Sequence, residues 1–116
     1  MSVTIYHNPR CSSSRLALET VRAAGIEPTI VEYLQTPPTR EKLVELLAAM
    51  GMRPRALLRT NEKAYETLKL ADPKWTDGEI VGFMVENPIL INRPIVVTPK
   101  GALLARPGDK VKAFLP

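Results

Sequence analysis

Val3-Thr4-Ile5-Tyr6-His7-Asn8-Pro9-Arg10-Cys11-Ser12-Ser13-Ser14-Arg15 opens the chain's informative region. Val3 to Tyr6 is short, β-branched and aromatic, which predicts a strand. Asn8-Pro9 marks a turn. From Ser12 to Ala24 the spacing predicts a helix, with Leu16, Leu18, Val21 and Ala24 as its apolar stripe. Gly25 stands where a glycine ends a helix. Thr29 to Leu34 predicts a second strand. Strand, helix and strand in so short a span make a βαβ unit, so the two strands are expected to be parallel with a right-handed crossover.

Pro37-Pro38 closes that unit. Thr39 is placed to cap a helix through Met50, with Leu43, Val44, Leu46, Leu47 and Met50 turned inward and Gly51 stopping it. Arg53 to Arg59 reads as a helical turn, and Glu62 to Leu70 as a modest amphipathic helix. Thr76-Asp77-Gly78-Glu79 has the spacing of a capping box, and the helix it starts should stop before Pro88. Ile95 to Thr98 and Ala102 to Ala105 flank Pro99-Lys100-Gly101, which predicts a β-hairpin. A short helix is expected from Gly108 to Leu115. The order is βαβ, a helical insertion, ββ and a last helix: an α/β sandwich with a mixed four-stranded sheet.

A chain of 116 residues, 45% of them hydrophobic, can build one core without staples, and a single domain over 1-116 is expected. Its net charge of +4 favours anions. The cations are scattered, without a run of five or six, so a small anion is a better partner than nucleic acid. One cysteine excludes an internal disulfide and a Cys-rich zinc site. A lone thiol suits a reducing compartment. Met1 to Tyr6 leads straight into polar residues, unlike a signal peptide, and no apolar run reaches the roughly 20 residues of a membrane span. The expectation is a soluble, cytoplasmic protein.

Cys11 lies at the strand-to-helix turn, where a helix's positive end and nearby cations lower a thiol pKa and create an anion pocket. A thiol of pKa near 8.5 is about 3% ionised at pH 7, and making it mostly thiolate takes roughly 2.7 kcal/mol. A helix N-terminus can supply up to about 2 kcal/mol of that. The bland alternative is an inert cysteine packed as a small hydrophobe. Arg10 and three serines beside it argue for reactivity. The serines also keep the first turn small enough for an anion to reach backbone N–H groups. His7, the only histidine, either polarises the thiol or bonds to backbone at the strand end. Cys11-Ser12-Ser13-Ser14 is not C-x-x-C, and Ala17 stands where a C-x₅-R phosphatase loop needs arginine. Any redox cycle must therefore end on an external thiol. Arg93, just before Pro94 and the third strand, Arg59 after a helical turn, and Arg106 after the fourth strand are candidate oxyanion ligands. A cis bond is expected at Pro94.

His7-Asn8-Pro9-x-Cys11 with Ser14-Arg15, Pro37-Pro38-Thr39, Arg55 to Arg59, Pro88 to Val97 and Arg106-Pro107 together resemble the glutaredoxin-coupled arsenate reductase family of thioredoxin-like proteins. The resemblance covers nearly the whole chain, in order. It implies a thioredoxin-like fold with a helical insertion at about 39-88. It implies Cys11 as the nucleophile on arsenate, His7 as an aid to its ionisation, and Arg59, Arg93 and Arg106 as holders of the oxyanion. Glutathione as co-substrate and glutaredoxin as partner follow from it, with no bound cofactor or metal and a monomer as the expected state. After the cysteine, arsenate-resistance enzymes commonly carry Gly-Thr where this chain has Ser12-Ser13. Two rivals remain: a thiol-dependent oxidoreductase acting on another substrate, and an RNA-polymerase-binding redox regulator of the same fold, whose usual C-x-x-C mark is lost at Ser14.

Overall fold

The computed structural model describes residues 2–116. The chain divides into two compact units, residues up to Thr36 together with Arg93–Pro116, and Pro37–Asn92.

The first unit holds the sheet. Strand β1 (Thr4–His7) is followed by helix α1 (Ser12–Ala23) and strand β2 (Thr29–Glu32). β1 and β2 are parallel, with Ile5 opposite Ile30 and His7 opposite Glu32. The chain returns in β3 (Ile95–Thr98) and β4 (Gly101–Leu104), both antiparallel to their neighbours, and the order is β2-β1-β3-β4. This is the mixed four-stranded sheet expected from the sequence. The hairpin turn is tighter than predicted. Only Pro99 and Lys100 lie between the strands, Thr98 pairs with Gly101, and β4 starts at the glycine. Gly101 has φ 129°, a region costly for any residue with a Cβ.

Val3, Ile5, Val96, Ala17, Val21, Ala105 and Val111 form one buried cluster. Their alternation on β1 and β3 and their spacing on α1 follow strand and helix periods. The face α1 buries differs from the predicted stripe. Ser14, Ala17 and Val21 point inward, while Leu16 is exposed and so is Ala24. The inward stripe is made of small residues because a 3-10 helix, Gly108–Phe114, lies directly on α1. A Cβ built on Gly108 would run into the Ser13 carbonyl oxygen and sit 2.6 Å from the Ala17 nitrogen. The final segment was expected to be a helix, and its 3-10 winding keeps it tight enough for that approach. Thr98 Oγ1 donates to the Phe114 carbonyl at 3.0 Å and fastens its end to the hairpin.

In the second unit Thr39 caps α2 (Arg40–Met50) by accepting the Lys42 N–H at 3.1 Å, and Gly51 ends it at φ 65°. Leu43, Leu46 and Leu47 are buried, but Val44, expected inside, is 48% exposed. It lies a turn's fraction off the stripe that a single packed face needs. A 3-10 turn (Pro54–Leu57) and a short α3 (Lys63–Thr67) follow. α3 is shorter than predicted and buries no residue fully, so little packing extends it. Thr76 and Glu79 complete the capping box of α4 (Asp77–Glu86), which packs on α2 and on the 3-10 turns at Pro54–Leu57 and Pro88–Leu90. Leu58 and Ile91 bridge the ends of those turns.

No helix among the described residues is long and apolar enough to cross a membrane.

Candidate active site

The turn between β1 and α1 is built by its own polar groups. The Asn8 carbonyl accepts the Cys11 N–H at 3.0 Å, and Asn8 Oδ1 accepts the Arg10 N–H at 3.0 Å. Asparagine favours such a turn because its side chain satisfies backbone two residues on. Arg15 Nη1 donates to the Pro9 carbonyl at 2.8 Å and closes the loop from outside. Cys11 is left as the residue that caps α1, with extended φ and ψ of -93° and 125°. The first free N–H groups of the helix then surround its side chain.

Cys11 is a free thiol and only 6% exposed, more buried than its polar sequence context predicts. Its neighbours are nevertheless charged. Arg106 Nη1 reaches to 3.7 Å of Sγ and also donates to the Arg93 carbonyl at 2.9 Å. Burial is the strongest single influence on the thiol and disfavours its anion. The Ser14 amide, the Arg93 charge, the Arg106 hydrogen bond and the Ser13 amide act the other way. Together they win, so the thiol titrates below its ordinary value. The sulfur makes no side-chain capping hydrogen bond of normal geometry, so the two amides act as dipoles aimed at it.

His7 ends β1 and is buried. Its Nδ1 lies 2.5 Å from Ser14 Oγ, which also accepts the Asn8 N–H at 3.0 Å. Burial holds the imidazole below the usual histidine pKa; Glu32 opposes that, while Arg15 and Arg22 add to it.

Cys11, His7, Arg93 and Arg106 thus share the first unit, and Arg93 and Arg106 both act on the sulfur. Arg59 belongs to the second unit. It follows the Pro54–Leu57 turn, its N–H donates to the Leu90 carbonyl at 2.8 Å, and its nearly buried guanidinium pairs with Glu62 at 2.6 Å. Both Arg93–Pro94 and Arg106–Pro107 are cis; only the first was expected. Glu62 was not singled out from the sequence, and Asn8 and Ser14 entered only as part of the turn and its motif, with no bond to each other or to His7 expected. Ser14's place in the first turn of the helix, three residues after Cys11, was the available signal.

Among the described residues no group of three or more His, Cys, Asp or Glu could hold a metal ion. A surface cleft of about 460 Å³ in the second unit, lined by Thr60, Tyr65, Glu66, Lys69, Ala71 and Asp72, contains none of the five predicted residues.

The sequence model of the ArsC family matches residues 6–114. An arsenate reductase of Escherichia coli is 56% identical over 115 residues, 99% of this chain and 82% of that protein. One of Rhizobium meliloti is 49% identical over 116 residues, covering 100% of this chain and 83% of its own. The solved structure of an arsenate reductase from Vibrio cholerae superimposes with a TM-score of 0.95 at 41% identity, over 99% of this chain and 98% of that one. The sheet order and these likenesses over nearly the full length agree: the chain belongs to the ArsC family.

Proposed function

We propose that this protein is an arsenate reductase that uses Cys11 as its nucleophile, with glutathione and glutaredoxin supplying the second thiol and the return to the reduced state. The observation that carries the reading is the guanidinium of Arg106 3.7 Å from Cys11 Sγ, with the Arg93 charge and two helix amides favouring the thiolate. A thiolate meeting an unshielded dianion is repelled, and cations at the point of attack remove that barrier.

The thiolate attacks arsenic, and one arsenate oxygen leaves as water after protonation. The sulfur–arsenic bond so formed still holds As(V). Glutathione enters next. Its sulfur joins Cys11 in a mixed disulfide, the two thiols give up two electrons in all, and arsenic leaves as arsenite. Glutaredoxin then takes the glutathionyl group and restores the Cys11 thiol. The lack of a second cysteine in the chain supports this external resolution. Arg93 and Arg106 hold the oxyanion beside the sulfur. By the family resemblance Arg59 is a third holder of the oxyanion, and its guanidinium pairs with Glu62 at 2.6 Å. No bound cofactor takes part, and a reducing compartment such as the cytoplasm suits a free reactive thiol.

The test is arsenate-dependent oxidation of glutathione in the presence of glutaredoxin, run on the wild-type protein and on Cys11→Ser. Turnover is expected in the first and none above background in the second. Equal turnover in both would refute the assignment.

A further inference from the structure

We infer that Ser14 is a positioning residue: its hydroxyl donates to His7 Nδ1, so that His7 acts as a neutral anchor for the turn under Cys11 and not as the thiol's proton acceptor. The inference rests on the reading of Cys11 as the nucleophile.

Ser14 is fully buried on α1, and His7 and Asn8 are each 6% exposed. A serine hydroxyl carries one proton and two lone pairs. One lone pair of Ser14 Oγ takes the Asn8 N–H at 3.0 Å. The remaining close contact is His7 Nδ1 at 2.5 Å. No backbone carbonyl among the described residues accepts the Ser14 proton, so a buried hydroxyl finds its acceptor only if Nδ1 is the unprotonated nitrogen. That choice puts the ring proton on Nε2 and leaves the imidazole uncharged. The opposite choice, Nδ1–H donating to Oγ, would strand the serine proton in a buried site. The charged groups that act on the ring are Glu32 on β2 and Arg15 and Arg22 on α1, and burial outweighs the one that favours imidazolium.

The consequence lies at the sulfur. Ser14's own N–H is the strongest of the groups that favour the Cys11 thiolate. The same residue therefore ties the end of β1 to α1 through its hydroxyl and presents its amide to the nucleophile. Without the hydroxyl, His7 Nδ1 and the Asn8 N–H both lose a buried partner, and the turn that aims the amide relaxes.

The chain has one histidine and one cysteine, so each signal is unambiguous. In ¹⁵N-histidine NMR of the wild-type protein at pH 7, His7 should be the Nε2–H tautomer. Alkylation of Cys11 followed against pH should slow about three- to tenfold at pH 7 in Ser14→Ala, the loss of half to one pKa unit. His7→Gln should slow it by a similar factor, and the double variant no further, because the two residues act as one unit. Ser14→Thr, which keeps the hydroxyl, should recover part of the rate. A wild-type Nδ1–H tautomer or imidazolium would overturn the inference, as would an unchanged curve in a folded Ser14→Ala or full additivity in the double variant. Should Ser14→Ala fail to fold, the wild-type tautomer decides. None of these measurements uses arsenate, so an absence of arsenate turnover would defeat the proposed function and leave this inference standing.

Discussion

Replacing Arg106 by alanine removes a guanidinium that donates to the Cys11 sulfur at 3.7 Å. Two unit charges at that separation attract by about 1 kcal/mol at the dielectric constant of water and by about 4.5 at an effective value near 20. Arg106 is exposed, so water screens it, and the lower part of that range applies. A loss of about 1–2 kcal/mol raises the thiol pKa by roughly one unit. Below both pKa values the thiolate fraction, and with it the alkylation rate, then falls about tenfold. The assay is the rate of iodoacetamide reaction with the single cysteine across pH, beside circular dichroism to confirm the fold. Arg106→Lys should fall between, because an ammonium keeps the charge but sits on a shorter side chain than the guanidinium nitrogen that donates to the sulfur and to the Arg93 carbonyl. A thiol pKa in folded Arg106→Ala within about 0.3 units of wild type would refute the electrostatic account.

Two further outcomes are expected. His7 titrates lower in the folded chain than in the unfolded one, so on acidification the unfolded chain binds the proton first. Its contribution to stability is whole above the unfolded value near 6.5 and is lost as pH falls toward the folded pKa; urea midpoints of wild type and His7→Gln should converge in that window, and parallel curves would contradict this. Gly108→Ala places a methyl against the Ser13 carbonyl and the Ala17 nitrogen, so the 3-10 helix must lift off α1. Since Arg106 lies two residues upstream, the variant should both lower the melting temperature and slow Cys11 alkylation at pH 7; lower stability with an unchanged alkylation profile would separate Gly108 from the site.

How far the sequence carries depends on the range of each interaction. The βαβ unit, the Thr39 and Thr76 caps and the Gly51 stop were legible because strand alternation, capping chemistry and glycine conformation are local. Leu16 and Val44 were misplaced for the opposite reason. Both are apolar and near helical spacing, but which side of a helix is covered is decided by distant segments. For α1 the covering segment is Gly108–Phe114, whose glycine lets it sit on small residues. Cys11 stood out because its turn, its serines and its arginines are written in adjacent letters. Ser14 stood out only as one of three serines, because its bond to His7 forms only once the strand end folds against the helix.

The burial of Cys11 is the point on which sequence context and structure pull apart, and it sharpens the chemistry. A sulfur 6% exposed loses most of its hydration, which by itself would keep it protonated and inert. The same loss of water strengthens each fixed dipole and charge that remains near it. Two amides held by a helix turn and two arginines from beyond the second unit in sequence replace the lost solvent with groups that need not reorganise when charge appears. The net effect is downward because those groups are oriented before the proton leaves. It follows that loosening the turn that aims the two amides should cost more than deleting an exposed charge that does not point at the sulfur. Arg10 supplies the comparison: it is exposed and adjacent to Cys11 in sequence, yet it is absent from the groups that act on the thiol. Proximity along the chain is therefore not what activates the sulfur; the fixed geometry of the turn and of the Arg93 and Arg106 segments is.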